Sequence, residues 1–570
     1  MFKKIIQSKF WWAIVIVLML LLNYVAALFH TRIDLTSEKR FTLSAATKKL
    51  LRKPIEGNIS IDVFLKGTSN AGFKQLGNAS NDILQEFKEV AGNKIQFNFL
   101  DPADVVPSTE VTYADTLTAL GLLPINLTSQ VKEGQQQQYV FPFALVHYQD
   151  KTFPVELYKG KTPIINFAEL SSAEALLEYK FAEAISKITQ TQKPIIGYAV
   201  GNGEADLGRL NTYDLVENVL KPDYQLFTFD LNSPKFIPTA IQALVIVKPT
   251  IGFSDEAKLK LDQYVMNGGK LLVFVDRLNA ELDSLQSKKG QVTAFDRDLK
   301  LNDLFFNYGA RVNADLLMDL QCDFLPFDVS GNGQFELLPW NYFPVIDSKS
   351  NHPINKGIGY VAAKFANTID TVEAEGIKKT ILLSSSANAR TIGSPAIISV
   401  TENVNAPDDA KFKKANLPIA VLLEGKFKSM FANRLSTAMS DTLAKYNIGF
   451  MPQSLTEGKI IIVADGDMVL NAVVKGNPIP MGMNVYTFDT QREFPFANKA
   501  FLQNALNYLV GDDGLSEAKA KDYTVKLLDT KKTADQKLFW QTINIVIPIV
   551  TVMLFALIFQ WLRKRKYTLS

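Results

Sequence analysis

One cysteine, Cys322, and three histidines, His30, His147 and His352, are all that the 570 residues contain. A single thiol excludes an intrachain disulfide, so the fold must rest on apolar cores. None of the histidines stands near Cys322 in sequence, which reads as a packed thiol rather than a nucleophile. An excess of one charge is also lacking: 61 basic residues face 58 acidic ones, a balance that carries no nucleic-acid footprint. No internal repeat of fixed short period runs through the chain. Apolar residues make up 47% and aromatics 11%, ample for several cores. At ~100 to 200 residues per domain, the length predicts about three or four units.

The basic residues that matter cluster at the two ends. Lys3, Lys4 and Lys9 precede FWWAIVIVLMLLLNYVAALF, residues 10–29, which matches the ~20 residues needed to cross a hydrocarbon core. This run exceeds the h-region of a secretory signal, so it reads as an uncleaved signal anchor, cleavage after the small residues 25–27 being the alternative. A second span, residues 539–562, leads directly into Arg563, Lys564, Arg565 and Lys566. Both basic flanks belong on the cytoplasmic side, which puts residues 1–9 and 563–570 inside and everything between the spans outside. Trp11 and Trp12 at one boundary and Trp540 and Trp561 at the ends of the other span fit interfacial belts.

Between the spans the pattern is mixed α/β. Residues 31–190 form a first domain: Ser44 caps a short helix, and NISIDVFLKG, ASNDILQEFKEVAG and NKIQFNFLDP read strand, helix, strand, a β-α-β unit expected to be thioredoxin-like. A helical pattern from Glu169 to Thr191 leads into residues 191–340. There PIIGYAV, YQLFTFDL, ALVIVKP and KLLVFVD are short apolar runs, expected to be parallel strands buried on both faces of a doubly wound sheet. Among the helices between them, SDEAKLKLDQYVMNGG is capped by Ser254 and turns Ala257, Leu261, Tyr264 and Val265 inward. Residues 341–512 form the C-terminal part of this region. They include LPIAVLLEG, GKIIIVADGDMVL and a final helix with Phe501, Leu502, Ala505, Leu506 and Leu509 on one face. Residues 513–538 read as a stalk.

GYAVGNGEADLGRL, residues 197–210, imitates two phosphate-binding patterns and completes neither. After Gly203 and Gly208 a P-loop needs Lys and then Ser or Thr, but Arg209 and Leu210 stand there, and leucine cannot ligate magnesium. The third glycine of a dinucleotide fingerprint is Asp206, and Glu204 with Asp206 would repel a pyrophosphate. A glycine-rich turn at the carboxyl edge of a sheet is the better reading. Asp465 and Asp467, in ADGDM, read as a polar strand-end turn with too few oxygens for calcium. Asp276 beside Arg277 reads as an ion pair or cap. No metal or cofactor is expected. The residues placed at a ligand or partner surface are Gly201, Asn202, Gly203, Glu204, Asp206 and Asp276.

Five stretches taken together resemble the GldG family. They are RIDLTSEKRFTLSAATKKLL, IIGYAVGNGEADL, ALVIVKPTIGFSDEAKLKLDQYVMNGGKLLVFVD, IIIVADGDM and FWQTINIVIPIVTVMLFALIFQWLRKRKY. This family comprises gliding-motility-associated auxiliary ("substrate-binding") proteins of ABC transporters, found with an ATPase and a permease in bacteria of the Bacteroidetes type. In that family the first turn of the α/β domain usually reads Gly-His-Gly-Glu; here Asn202 replaces the histidine, so any activity relying on an imidazole there is not expected. The α/β domain is similar to one shared with intraflagellar-transport proteins, an interaction module rather than an enzyme. The resemblance implies a cytoplasmic GldA-like ATPase and a polytopic GldF-like membrane partner. It places the chain in the bacterial inner membrane with its bulk in the periplasm. The alternative is a membrane-tethered periplasmic ligand-binding protein or enzyme acting near Glu204 and Asp206.

Overall fold

The computed structural model describes residues 16–21, 23, 42–68, 70–131, 134–158, 167–287, 290–328, 332–347, 351–399, 409–446, 448–486, 495–511, 514–515, 518–519 and 536–567. Lys3, Lys4, Trp11 and Trp12 lie outside these residues, as does most of the expected stalk. Within the first expected span only 16–21 and 23 are described, all helical. The chain forms two units, Met1–Lys521 and Asp522–Ser570.

In the first unit, α1 (Ala45–Arg52) has Ser44 as its N-cap, whose side chain accepts from the Thr47 amide. The expected strand, helix and strand follow as β1 (Ile59–Val63), α2 (Ala71–Ala91) and β2 (Ile95–Phe99). Asn70 caps α2, and β1 pairs with β2 in parallel, which makes this a true β-α-β unit. Four consecutive glutamines, Gln135 to Gln138, lie in a separate hairpin, β3 (Ile125–Val131) with β4 (Gly134–Val140). The hairpin of β5 (Phe143–Tyr148) and β6 (Lys151–Glu156) adds antiparallel to β1, giving the sheet order β2-β1-β5-β6. A long helix, α3 (Phe167–Thr189), covers the same core with Leu177, Phe181 and Ile185.

A seven-stranded sheet follows. Its first four strands are β7 (Ile195–Val200), β8 (Gln225–Asp230), β9 (Ala243–Val247) and β10 (Lys270–Phe274). Three more come from far along the chain: β11 (Ile377–Ser384), β12 (Pro418–Gly425) and β13 (Gly458–Val463). The order is β11-β12-β13-β10-β9-β7-β8. Strands β8, β7, β9, β10 and β13 are parallel, while β12 runs antiparallel to β13 and β11 to β12. The expected division at residue 340 therefore runs through one sheet, and the sheet is mixed rather than wholly parallel. Every residue of β9 is buried, as the continuous apolar run requires, each large side chain contributing roughly 1.5–3 kcal/mol by leaving water.

One local expectation is corrected. YQLFTFDL is not buried on both faces: β8 is an edge strand that pairs only with β7, and Phe227 is 46% exposed. The helix α4 (Asp255–Met266), capped by Ser254 as expected, buries the inner stripe Ala257, Leu261, Tyr264 and Val265 and its other sides as well. All residues from Ala257 to Met266 are buried, because a later segment covers its far side. There Asp262 accepts from Ser429 Oγ at 2.6 Å and Tyr308 Oη at 2.9 Å, and Gln263 Oε1 accepts from the Met451 amide at 2.8 Å. The helix α5 (Asn498–Val510) buries Phe501, Leu502, Ala505, Leu506 and Leu509, the stripe read from sequence.

In the second unit, one helix spans Lys537–Tyr567, with Pro548 inside it. Its segment Lys537–Arg565 is long and apolar enough to cross a membrane. Trp540 and Trp561 are exposed near its two ends, and the Arg565 guanidinium lies 5.3 Å from the centre of the Trp561 ring. Arg563, Lys564 and Arg565 occupy its last turns, which places the basic group directly after the apolar run.

Candidate functional site at the carboxyl edge of the sheet

Parallel strands end on one edge, and the turns that follow them bring distant residues together. After β9 comes Lys248, after β10 Asp276, and after β13 Asp465, Gly466 and Asp467. Lys248 adopts a left-handed φ of 50°, uncommon for a residue with a side chain. Its ammonium lies 2.6 Å from Asp467, 3.0 Å from Glu281 and 3.7 Å from Asp276. Glu281 is also 2.7 Å from Arg297. The lysine side chain is 12% exposed and Asp276 5%, so the inner pair is nearly dry, while Asp467 and Glu281 reach the surface.

The electrostatics follow from this burial. Desolvation pushes the Asp276 carboxyl above its ordinary range, Asp467 adds repulsion, and Lys248 opposes both. Asp276 accepts from the Gly466 amide through Oδ1, but its Oδ2 has no hydrogen-bond partner among the described residues. Asp465 is fully buried and is raised further, by desolvation and then by Asp276 and Asp467. Its oxygens accept from the amides of Lys364 at 2.7 Å, Asp467 at 2.8 Å and Met468 at 3.0 Å. Burial alone would lower the Lys248 ammonium, but Asp467, Asp276 and Glu281 hold it above the usual lysine range. A lysine so held is a permanent cation, and the arrangement supports pairing and positioning rather than nucleophilic chemistry.

The turn Gly201–Glu204 sits after β7 and is tied to a different neighbour. The Asn202 carbonyl accepts from the amides of Thr250 and Ile251, and its side-chain amide donates to the Gly252 carbonyl at 3.3 Å. Asn202 is 1% exposed. Glu204 turns back to accept from the Asn202 amide at 2.7 Å, and burial raises its carboxyl above the ordinary value. Gly203 has φ 73°, and a Cβ there would lie 2.1 Å from Thr250 Oγ1. The glycines therefore serve close backbone packing, in place of a phosphate.

Of the six residues expected at a ligand or partner surface, Gly201, Asn202, Gly203 and Glu204 share this turn. Asp206 stands out in solvent, 64% exposed, with Arg209 at 3.5 Å. Asp276 belongs to the lysine-centred cluster instead. Lys248, Glu281 and Arg297 escaped the sequence reading. The signal for Lys248 was its place at the end of a buried strand, the position that singled out Asp276 and Asp465. Cys322 is partly buried, its thiol pushed up to about 12 by desolvation first and by Asp319 and Asp323 next.

Residues 193–505, which contain the whole seven-stranded sheet and both groups of turns, match the family model of an ABC-type uncharacterized transport system. The chain belongs to this family of ABC transporter auxiliary proteins. Residues 37–147 match a domain of unknown function. No curated protein matches the chain. Among solved structures, the mmIFT52 N-terminal domain is 13% identical with a TM-score of 0.30, the match covering 56% of this chain and 98% of that one. An exo-beta-1,4-mannosidase, Op5Man5 from Opitutaceae bacterium strain TAV5, is 9% identical with a TM-score of 0.21, covering 75% and 51%. Likenesses this low carry no weight for fold or function.

Proposed function

We propose that the chain is the membrane-anchored extracytoplasmic subunit of an ABC-type complex, associated with gliding motility. It would couple a cytoplasmic GldA-like ATPase and a polytopic GldF-like subunit to interactions in the periplasm of an inner-membrane system. The observation that carries this reading is the family match over residues 193–505 in a chain that also holds a membrane-length helix at Lys537–Arg565. Anchoring at both ends, with both termini cytoplasmic, rests on the apolar run at 10–29 and the basic residues beside each run. Hydrolysis in the ATPase would move the membrane helices, and the anchors would pass that motion outward.

Co-expression of the three subunits and purification through a tag on this chain tests the reading. Recovery of ATPase and permease in fixed ratio is the expected result; repeated recovery of the chain alone would sink it. Single cysteines introduced at Lys4, Arg209 and Lys566 in a Cys322→Ser background test the topology. Only the Arg209 site should react with a membrane-impermeant maleimide in intact spheroplasts. The alternative, chemistry at Glu204 and Asp206, draws no support from a glutamate turned into its own turn and an aspartate paired with Arg209 on the surface.

A further inference from the structure

At the opposite, amino edge of the seven-stranded sheet lies a cavity of about 880 Å³, within the range of ~300–1,000 Å³ usual for small-ligand sites. The C-terminal half of α3, the first residues of β7 and β8, the helix α5 and the segment after it form its walls. Lys519, from that last segment, lines the cavity although it is only 5% exposed. Its ammonium lies 4.9 Å from the centre of the Tyr179 ring. Among the described residues it has no carboxylate within ion-pair distance and no hydrogen-bond acceptor.

The nearest carboxylate is already engaged. Glu183 accepts from Asn507 Nδ2 at 2.6 Å and pairs with Lys187 at 3.1 Å, while Lys187 also holds Asp223 at 2.7 Å. A buried cation left with one aromatic face is costly unless something neutralises it. Desolvation accordingly brings Lys519 down to about 7, with Glu183 pulling it up and Lys180 pushing it further down. Side chains able to hydrogen-bond a polar guest, Gln225, Gln242 and Asn504, stand around the same space.

We propose that this cavity is a binding site for a small oxyanion, carboxylate or phosphate, whose charge pairs with Lys519. The site stands apart from the carboxyl-edge turns, at the other end of the same strands. An occupant would anchor Gly511, Gly514, Leu515 and Lys519 against α3 and α5, and in chain order these residues precede the apolar helix that begins at Lys537.

The test uses the full chain in detergent, with inorganic phosphate and glucuronate as separate probes and chloride matched for ionic strength. At least one probe should raise the thermal midpoint saturably and shield Lys519 from amine-reactive labelling at pH 8, read by peptide mass spectrometry. Which probe acts separates a phosphate from a carboxylate ligand. Lys519→Met should weaken that binding at least tenfold, and Lys519→Arg should keep most of it. Equal binding by wild type and Lys519→Met, or no effect of either probe beyond chloride, would overturn the proposal. If Lys519→Met fails to fold, protection of Lys519 in the wild-type chain decides alone, and unchanged labelling counts against the site.

Discussion

Lys248 and Asp467 meet at 2.6 Å, one from the turn after β9 and the other from the turn after β13, 219 positions apart in the chain. This contact fastens two strands that are separated in the sheet by β10, whose own Asp276 lies beneath it. Lys248→Met would leave Asp276, Asp467 and Glu281 without their common cation. Breaking a buried pair from one side costs about 3–5 kcal/mol, and the thermal midpoint of the purified chain should fall accordingly. Adding Asp276→Asn to Lys248→Met should restore part of the loss, because the buried charge that lacked a partner is gone. An unchanged midpoint in the single variant would show that the cluster contributes nothing to the fold.

Asp465 tests the same turn from within. It accepts three backbone amides through two oxygens, and Asp465→Asn would aim an N–H at one of those donors. The expected cost is about 1–3 kcal/mol, visible in chemical denaturation, with faster amide exchange at Asp467 and Met468. Exchange rates indistinguishable from wild type would contradict the assigned bonds.

Gly203 makes a prediction about the first turn. An alanine would carry the left-handed backbone penalty of about 1–2 kcal/mol and would also collide with Thr250. Gly203→Ala combined with Thr250→Ser should be no better, since the Oγ remains; Gly203→Ala with Thr250→Ala should recover the steric part only. Limited proteolysis within residues 201–210 reports the loosening.

The strand-end acids Asp276, Asp465 and Asp467 were legible in the sequence because a buried parallel strand must deliver its next residues to one edge. Caps were legible for a similar reason: Ser44 and Ser254 act within three residues of themselves. What escaped depends on partners far away in sequence. The spacing of α4 shows its inner stripe, but not that Ser429, 167 positions beyond Asp262, closes over its other side. The apolar run at β8 looked central, but a run of hydrophobic residues does not say whether one neighbour or two will pair with it. The site divided for the same cause: Glu204 and Asp276 both follow strands, and only the sheet order shows that β9 stands between β7 and β10.

His352 supplies a pH prediction. Its ring packs 4.7 Å from that of Tyr508, and burial lowers its pKa to about 4 from an ordinary value near 6.5. Between these values the unfolded chain binds the proton and the folded chain does not, so stability is retained above about 6.5 and falls as the pH drops toward 4. His352→Gln should flatten this part of the midpoint-against-pH curve without abolishing the remaining acid sensitivity from other groups. An identical slope in variant and wild type would assign the effect elsewhere.

The place of β13 has a consequence for how the chain must be made. Synthesised after every other strand of its sheet, it occupies the seam between β12 and β10. A nascent or truncated chain ending before Gly458 therefore presents β10 with one whole edge unpaired and with Leu271, Leu272, Val273 and Phe274 along it. The sheet cannot close before the last strand is in place, and fragments cut near residue 340 should aggregate rather than fold.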